Sequence, residues 1–458
     1  MKNDNAKYVL HVVNSKAIKV ADIAIDTITV LSGINASGKS TLARMLHEII
    51  NLSAIYPTLL KKYAWAPLKT WAAQIVQLND RIESKDQGLL SAMRMQTAGM
   101  EFDKKLEVRD FETTLDELET LTRDVLSRCE NEIGKGDIKR AFLAFVRAVG
   151  IGDDISLNFG KVLEIFIQKK AKCRETYSQG LSHRSYLAYN YVRDLKYDIS
   201  WLMDADEVTL SEDGEPVYDV KREVDTRALV PRNNLKELYG LRHSFYIASP
   251  WVGIPQAMSD GGVTIGYDDF PHYPVTEHPV DTDDLFRALG GHLEVDESTG
   301  RKKWIYKCPE FADPIDLTDC ATGMKSLAIL NILYKGGFLD GETLLIVDEP
   351  EAHLHPQWIF EYARILVLIA KRLKVRMLLT SHHPDMISAL KVIAQAEKLG
   401  GVRFFLANAE SPGKRKNFTY EPLGMNIEPI FRKFNVAIDR IDTYMAQLAM
   451  KESNGDFE

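Results

Sequence analysis

Cysteine is scarce in this chain: four in 458 residues, Cys129, Cys173, Cys308 and Cys320. They are far apart and no two of them form a CxxC pair, so neither a zinc site nor a disulfide framework is suggested; reduced thiols are expected. Long apolar runs are also missing. None approaches the roughly 18 residues that a membrane span needs. The opening stretch, MKNDNAKYVLHVVNSKAIKV, lacks the continuous apolar core of a signal peptide. A cytoplasmic protein without a membrane partner is expected. There is no basic excess: 57 Lys and Arg stand against 65 Asp and Glu, for a net charge of -8. That argues against a coat for nucleic acid, while leaving room for a local basic channel. Neither an internal repeat nor a low-complexity tract is present. What remains is ordinary globular composition, 45% hydrophobic and 27% charged, in a chain long enough for two or three domains.

Short β-rich runs, YVLHVV and TITVLSG, open the chain, and GKSTLARMLHEII then reads as a helix with Leu42, Met45, Leu46, Ile49 and Ile50 on one face. From Pro57 to Tyr197 the pattern is long, charged and helical. Within it Phe111, Leu115, Leu118, Thr122, Val125 and Cys129 form a short heptad stripe, equally compatible with a helix packed in its own domain and with an inter-helix stalk. Asp213-Gly214 marks a hairpin turn. SFYIASP at 244–250 reads as a buried strand. From Thr343 onward, strand TLLIV, a helix, strand VRMLLTS and a helix from Pro384 alternate, with VRFFLAN as a further strand. Strands alternating with helices imply a parallel sheet flanked by helices.

Four blocks carry chemistry. Gly33, four residues, then Gly38-Lys39-Ser40 fit the phosphate-loop pattern, with Asn35, Ala36, Ser37 and Thr41 completing GINASGKST. Such a loop turns backbone N–H groups toward phosphates; Lys39 reaches the β- and γ-phosphates of ATP, and the Ser40 hydroxyl is the expected Mg²⁺ ligand. TLLIVDEPEAHLHP delivers Asp348 and Glu349 at the end of a buried strand, Asp348 to hold Mg²⁺ and Glu349 to polarise the attacking water. In MLLTSHHPDM, His382 is placed to contact a γ-phosphate. In CATGMKSLAIL, Gly323 opens an apolar helix upstream of Asp348, where its N–H groups can meet a phosphate. His353 and His355 stand i, i+2 without a clear third ligand, which speaks against a zinc site.

In this order, the four blocks resemble the ABC-type ATPases of the SMC, RecF and OLD group. GINASGKST is similar to their GxNxxGKST loop and ATGMKS to their signature segment, which adds Gly323 and Lys325 to the nucleotide-binding set. DEPEAHLHP is similar to their Walker B motif and D-loop, and TSHHPDM to their switch-histidine segment. The resemblance covers residues 1–50 and roughly 315–395, with SFYIASP as a possible further strand match. Two departures stand out. Ala321 replaces the signature serine, and no glutamine loop is evident: Ser249 occupies the place to look for it, with Gln96 a weaker candidate.

The fold this implies is α/β, an ABC-type P-loop ATPase head with a large, mainly helical insertion. The head's first part spans 1–56, the insertion with a short β-hairpin 57–240, and the head's second part 241–458. OLD-type nucleases carry a Toprim domain after the switch histidine. The residues from 383 to 458 are too few for one, and Asp439 and Asp442, spaced i, i+3, make no DxD pair. The chain thus resembles stand-alone ATPase subunits of bacterial anti-phage systems, PtuA of Septu first and AriA of PARIS second. That implies a homo-oligomer, a dimer or a multiple of dimers, which hydrolyses ATP and controls an effector nuclease partner of the HNH type, with DNA or a phage component as a further partner. A RecF- or SMC-like repair ATPase acting directly on DNA is the alternative. A transporter subunit is disfavoured by the long gap between phosphate loop and signature, and an ATP-binding structural protein that never hydrolyses stays open.

Overall fold

The computed structural model describes residues 6–54, 56–83, 110–152, 158–183, 204–222, 229–235, 238–247, 285–286, 290–296, 303–310, 313–352, 354–410, 418–433 and 443–447. It divides into two compact units, one of residues 1–54 with 198–458 and one of residues 55–197. Ser249, Gln96, His353, Asp439 and Asp442 lie outside the described residues. Among those described, all four cysteines are free, no helix is long and apolar enough to cross a membrane, and no group of three side chains is arranged to hold a metal.

The first unit is built on an eleven-stranded sheet. Its parallel core runs in the order β13 (Val402–Ala409), β3 (Ile28–Ser32), β12 (Arg376–Ser381), β11 (Thr343–Asp348) and β7 (His243–Ile247). β3 and β11 are buried at every residue, as expected of strands covered on both faces by helices. Helices α1 (Lys39–Ala54), α6 (Thr322–Lys335), α7 (Pro356–Leu373) and α8 (Pro384–Ala396) accompany them. α1 buries Leu42, Met45, Leu46, Ile49 and Ile50, the face read from its periodicity. α7 and α8 each start with a proline, whose missing N–H costs nothing in a first turn.

The sheet continues from β13 through β14 (Phe418–Gly424), β2 (Ile18–Ile25), β1 (Tyr8–Ser15), β4 (Glu207–Glu212), β5 (Glu215–Arg222) and β6 (Leu229–Leu235). Asp213 and Gly214 both have positive φ, 52° and 82°, the two-residue turn that matches the twist of a hairpin. The sequence reading assigns this β4–β5 hairpin to the helical insertion. In the structure β4 pairs with β1 over six residue pairs, which makes the hairpin part of the main sheet. A separate three-stranded sheet consists of β8 (His292–Asp296), β9 (Lys303–Lys307) and β10 (Ile315–Asp316).

The second unit is helical: α2 (Tyr56–Glu83), α3 (Phe111–Glu132), α4 (Gly136–Ala148) and α5 (Phe159–His183). Asp110 caps α3, accepting from the N–H groups of Glu112 and Thr113 at 3.1 and 3.2 Å. The heptad stripe of α3 lies wholly inside this unit. Phe111, Leu115, Leu118, Thr122, Val125 and Cys129 are each fully buried, and α3 packs on α2 and α5 in a core with Trp65, Trp71, Phe142 and Phe166. The same spacing serves a stalk or a core, and here its partners are the unit's own helices. Leu118→Ala should therefore lower stability by about 2–5 kcal/mol, the cost of a large-to-small change in a packed core, as measured by denaturant unfolding. Wild-type stability with an altered oligomeric state would place the stripe at an interface instead.

Candidate functional site

Three adjacent parallel strands in register bring the sequence blocks together. Ser32 pairs with Ser381, and Asp348 pairs with Thr380, so β3, β12 and β11 end at the same edge. Gly33, Asp348-Glu349 and His382 follow directly. The carboxyl ends of parallel strands are where α/β sheets bind ligands.

After β3 the chain turns sharply. Ile34, Asn35 and Ala36 are exposed, Ser37 is buried, and α1 begins at Lys39. Positive φ at Ala36 (62°) and Gly38 (96°) folds the loop back on itself, the alternation that gathers N–H groups into an anion-binding concavity. Gly38 has no substitute: a Cβ there would meet Ile18 Cγ1 at 2.5 Å. Gly33 is pressed on β13, where an added Cβ would lie 2.7 Å from Ala407 Cβ. The Tyr420 hydroxyl of β14 donates to the Ser37 carbonyl at 3.2 Å, which ties the loop to the sheet from below. The Ser37 hydroxyl itself is buried without a partner.

Lys39 Nζ donates to the carbonyls of Gly33 (2.9 Å) and Ile34 (3.0 Å). Burial holds its pKa below the usual lysine range, partly offset by Glu349, Asp348 and Glu351. Thr41, half-buried, follows Ser40 in the first turn of α1.

Asp348 is buried and surrounded by hydroxyls. Ser40 Oγ donates to its Oδ1 at 2.9 Å, Thr380 Oγ1 donates to the same oxygen, and the Tyr246 hydroxyl donates to Oδ2 at 2.9 Å. Arg44 of α1 stands over the Tyr246 ring, 5.8 Å from its centroid. Burial and the Asp348 charge raise the Tyr246 pKa, so the phenol keeps its proton and can only donate to the carboxylate. Glu349 is in the left-handed region, φ 52°, with its N–H on the Thr380 carbonyl (3.0 Å) and Oγ1 (3.1 Å). A non-glycine residue there stores about 1–3 kcal/mol, a strain common at functional sites. His382 Nδ1 lies 3.2 Å from Glu349 Oε1 and 3.4 Å from Glu351 Oε1. Neither contact has hydrogen-bond alignment, and the nitrogen is buried without a formal partner.

Gly323 and Lys325 occupy the first turn of α6. Ala321 is the residue before that helix and gives it no side-chain cap. His355 is exposed in the corresponding position before α7. Sequence reasoning misses Tyr246, Thr380, Arg44 and Tyr420. Tyr246 and Thr380 do sit in stretches identified as strands, and a hydroxyl close to a strand's carboxyl end is the one signal that marks them.

Beside this geometry stand the comparisons. A family model described as "AAA domain, putative AbiEii toxin, Type IV TA system" matches residues 267–388. That stretch holds α6, β11, β12 and His382, and the phosphate loop lies outside it. No curated protein matches. Among solved structures, an Smc head bound to the C-terminal winged-helix domain of ScpA matches over 36% of this chain and 45% of its own, at 12% identity and a TM-score of 0.24. An SMC head domain from Thermotoga maritima matches over 91% of this chain and 98% of its own, at 10% identity and TM-score 0.36. A head domain with extended coiled coil from Pyrococcus furiosus, bound to the C-terminal domain of ScpA, matches over 95% and 98%, at 10% and 0.31. The phosphate loop, the strand-end carboxylates and the histidine stand together at one edge of the parallel core.

The Tyr246→Phe variant should lose about 1–3 kcal/mol of stability, because Asp348 Oδ2 is left buried and unanswered. Thermal or denaturant unfolding reads this directly. An unchanged unfolding curve would mean that water, not Tyr246, satisfies that oxygen.

Proposed function

We propose that this chain binds ATP with Mg²⁺ in the 33–41 loop, hydrolyses it with Glu349 as general base, and uses the nucleotide state to control an associated effector. The observation that carries the reading is the 2.9 Å contact between Ser40 Oγ and Asp348 Oδ1, beside Lys39 and next to the Glu349–His382 pair. A hydroxyl and a carboxylate side by side are the hard oxygen donors that Mg²⁺ takes, so Ser40 and Asp348 would hold the ion. Bound there, Mg²⁺ would neutralise charge on the phosphates.

The chain's own residues supply the rest. Lys39, held by two loop carbonyls, is a buried cation that exchanges those partners for phosphate oxygens. Glu349 accepts the proton of the attacking water, and His382 holds the γ-phosphate. Ser40 and Asp348 are the metal-holding pair. Gly323 and Lys325 lie in the first turn of α6, whose N-cap Ala321 offers no side-chain cap, a fit for the γ-phosphate of a nucleotide held by a second subunit. One ATP would then bridge two heads, and a symmetric dimer is the minimum unit.

The regulatory role rests on the likeness of the four blocks to stand-alone defence ATPases of the Septu PtuA kind. The matched family model's description names a putative toxin of a Type IV TA system, which sets this stretch of the chain beside proteins of cellular conflict. The partner that fits is a nuclease, of HNH type by that likeness. Asp348 and Glu349 are committed to ATP, and among the described residues no other carboxylate or histidine group is arranged for metal-dependent cleavage.

Lys39→Ala should abolish most ATP affinity in a folded chain, as titration with a fluorescent ATP analogue would show; unchanged binding would sink the assignment of the loop. Glu349→Gln should keep binding while turnover falls about 10²–10⁴-fold, with His382→Ala milder. Wild-type turnover in Glu349→Gln would mean that Glu349 is not the general base.

Purified alone with Mg²⁺ or Mn²⁺, the chain should leave DNA and RNA intact and sediment as a dimer or a multiple of one. Cleavage by the lone chain, abolished by a mutation outside the ATP site, would overturn the regulatory reading. A strict monomer with and without ATP would remove the bridging mechanism.

A further inference from the structure

The strand end that delivers Glu349 carries a second carboxylate, Glu351, which the chemistry above leaves unused. Its side chain is only 3% exposed, and a carboxylate so enclosed has to be answered by donors. Its Oε1 accepts from Ser381 Oγ at 2.9 Å and from the His382 N–H at 3.0 Å, and lies 3.4 Å from His382 Nδ1. Its Oε2 is buried without a partner. Every one of these neighbours belongs to the junction where β12 ends. Glu351 thus clips the exit of β11 to the exit of β12, and it does so at the histidine. Glu349 approaches the same ring nitrogen at 3.2 Å, so Nδ1 faces two carboxylates and Nε2 is left at the ring's other edge.

We propose that Glu351 is the positioning residue of His382: it fixes the backbone on which the ring is carried and holds a carboxylate against the Nδ1 edge of the ring. The proposal rests on the ATPase reading for its consequence, but its geometry stands apart from that reading. Service as an alternative general base fits the carboxylate poorly. Its Oε1 is already engaged by Ser381 and His382, and its side chain is closed to solvent where that of Glu349 is 30% exposed.

The test uses the full-length chain and two readouts. The first is ¹⁵N NMR of the histidine-labelled protein, with His382→Ala to assign the His382 ring. In Glu351→Gln, which keeps the size and one acceptor oxygen, the His382 ring nitrogens should shift while those of His47, whose partners are Ser244 and Asn51, stay in place. Ser381→Ala, which keeps Glu351 but frees its oxygen, should shift them less. Unmoved His382 resonances in Glu351→Gln would overturn the proposal whatever the chain does to ATP.

The second readout is a double-mutant cycle on Lys39-dependent ATP turnover. Glu351→Ala and His382→Ala should lower kcat by similar factors, with KM for ATP within about twofold of wild type. The double variant should be no slower than the slower single within about twofold, the scatter of an additive cycle. Losses that multiply would mean that Glu351 acts independently of His382, and the positioning role would fall. Absence of any Lys39-dependent turnover in the wild type would instead count against the ATPase reading, and the NMR comparison would still decide on Glu351.

Discussion

The carboxylate of Asp348 is the point on which the site's geometry depends. It is buried at the end of β11, and its three hydroxyl donors come from three different elements: Ser40 from α1, Thr380 from β12 and Tyr246 from β7. A carboxylate in that position is tolerable only when its lone pairs are answered. The answering groups fix the two neighbouring strands and the helix behind the phosphate loop against one another. Thr380 serves twice, because its hydroxyl and carbonyl also receive the Glu349 N–H and hold that residue in its left-handed turn. Ser40, Asp348, Glu349 and the 33–41 loop are in this way positioned by one small polar network at the end of an otherwise apolar sheet.

The same arrangement explains what sequence reasoning reaches. β3 and β11 are buried runs broken by glycine or by acid, and the residues at those breaks are the ones the strand ends present. The apolar face of α1 and the Asp213-Gly214 turn follow from period and from backbone preference, both local properties. Tyr246 and Thr380 do not follow, because which hydroxyl faces Asp348 depends on the order β7-β11-β12 and on the pairing of Asp348 with Thr380. Ile18, Ala407 and Tyr420 escape for a similar reason. They lie on β2, β13 and β14, and reach the loop through the sheet order β2-β14-β13-β3, which no local pattern encodes. The stripe on α3 shows the converse limit: its spacing describes a helix face, and the partner of that face is a tertiary fact.

Two energetic features distinguish the site from a merely well-packed strand edge. Glu349 and Gly38 sit at positive φ, one at a strain cost and one where a Cβ would collide with Ile18. Beside them, Lys39, Glu349, Glu351 and His382 gather four ionisable groups within a half-buried edge, although each could have been more stable in water. Structure that is costly in isolation and held by its surroundings is what preorganisation for a charged ligand requires.

The most direct test of the account is a structure of the Glu349→Gln chain with ATP and Mg²⁺. Lys39 Nζ should leave the Gly33 and Ile34 carbonyls for the phosphates, the metal should lie between Ser40 and Asp348, and Gly323 of a second copy should face the γ-phosphate. A nucleotide bound elsewhere, or a metal that avoids both Ser40 and Asp348, would contradict it.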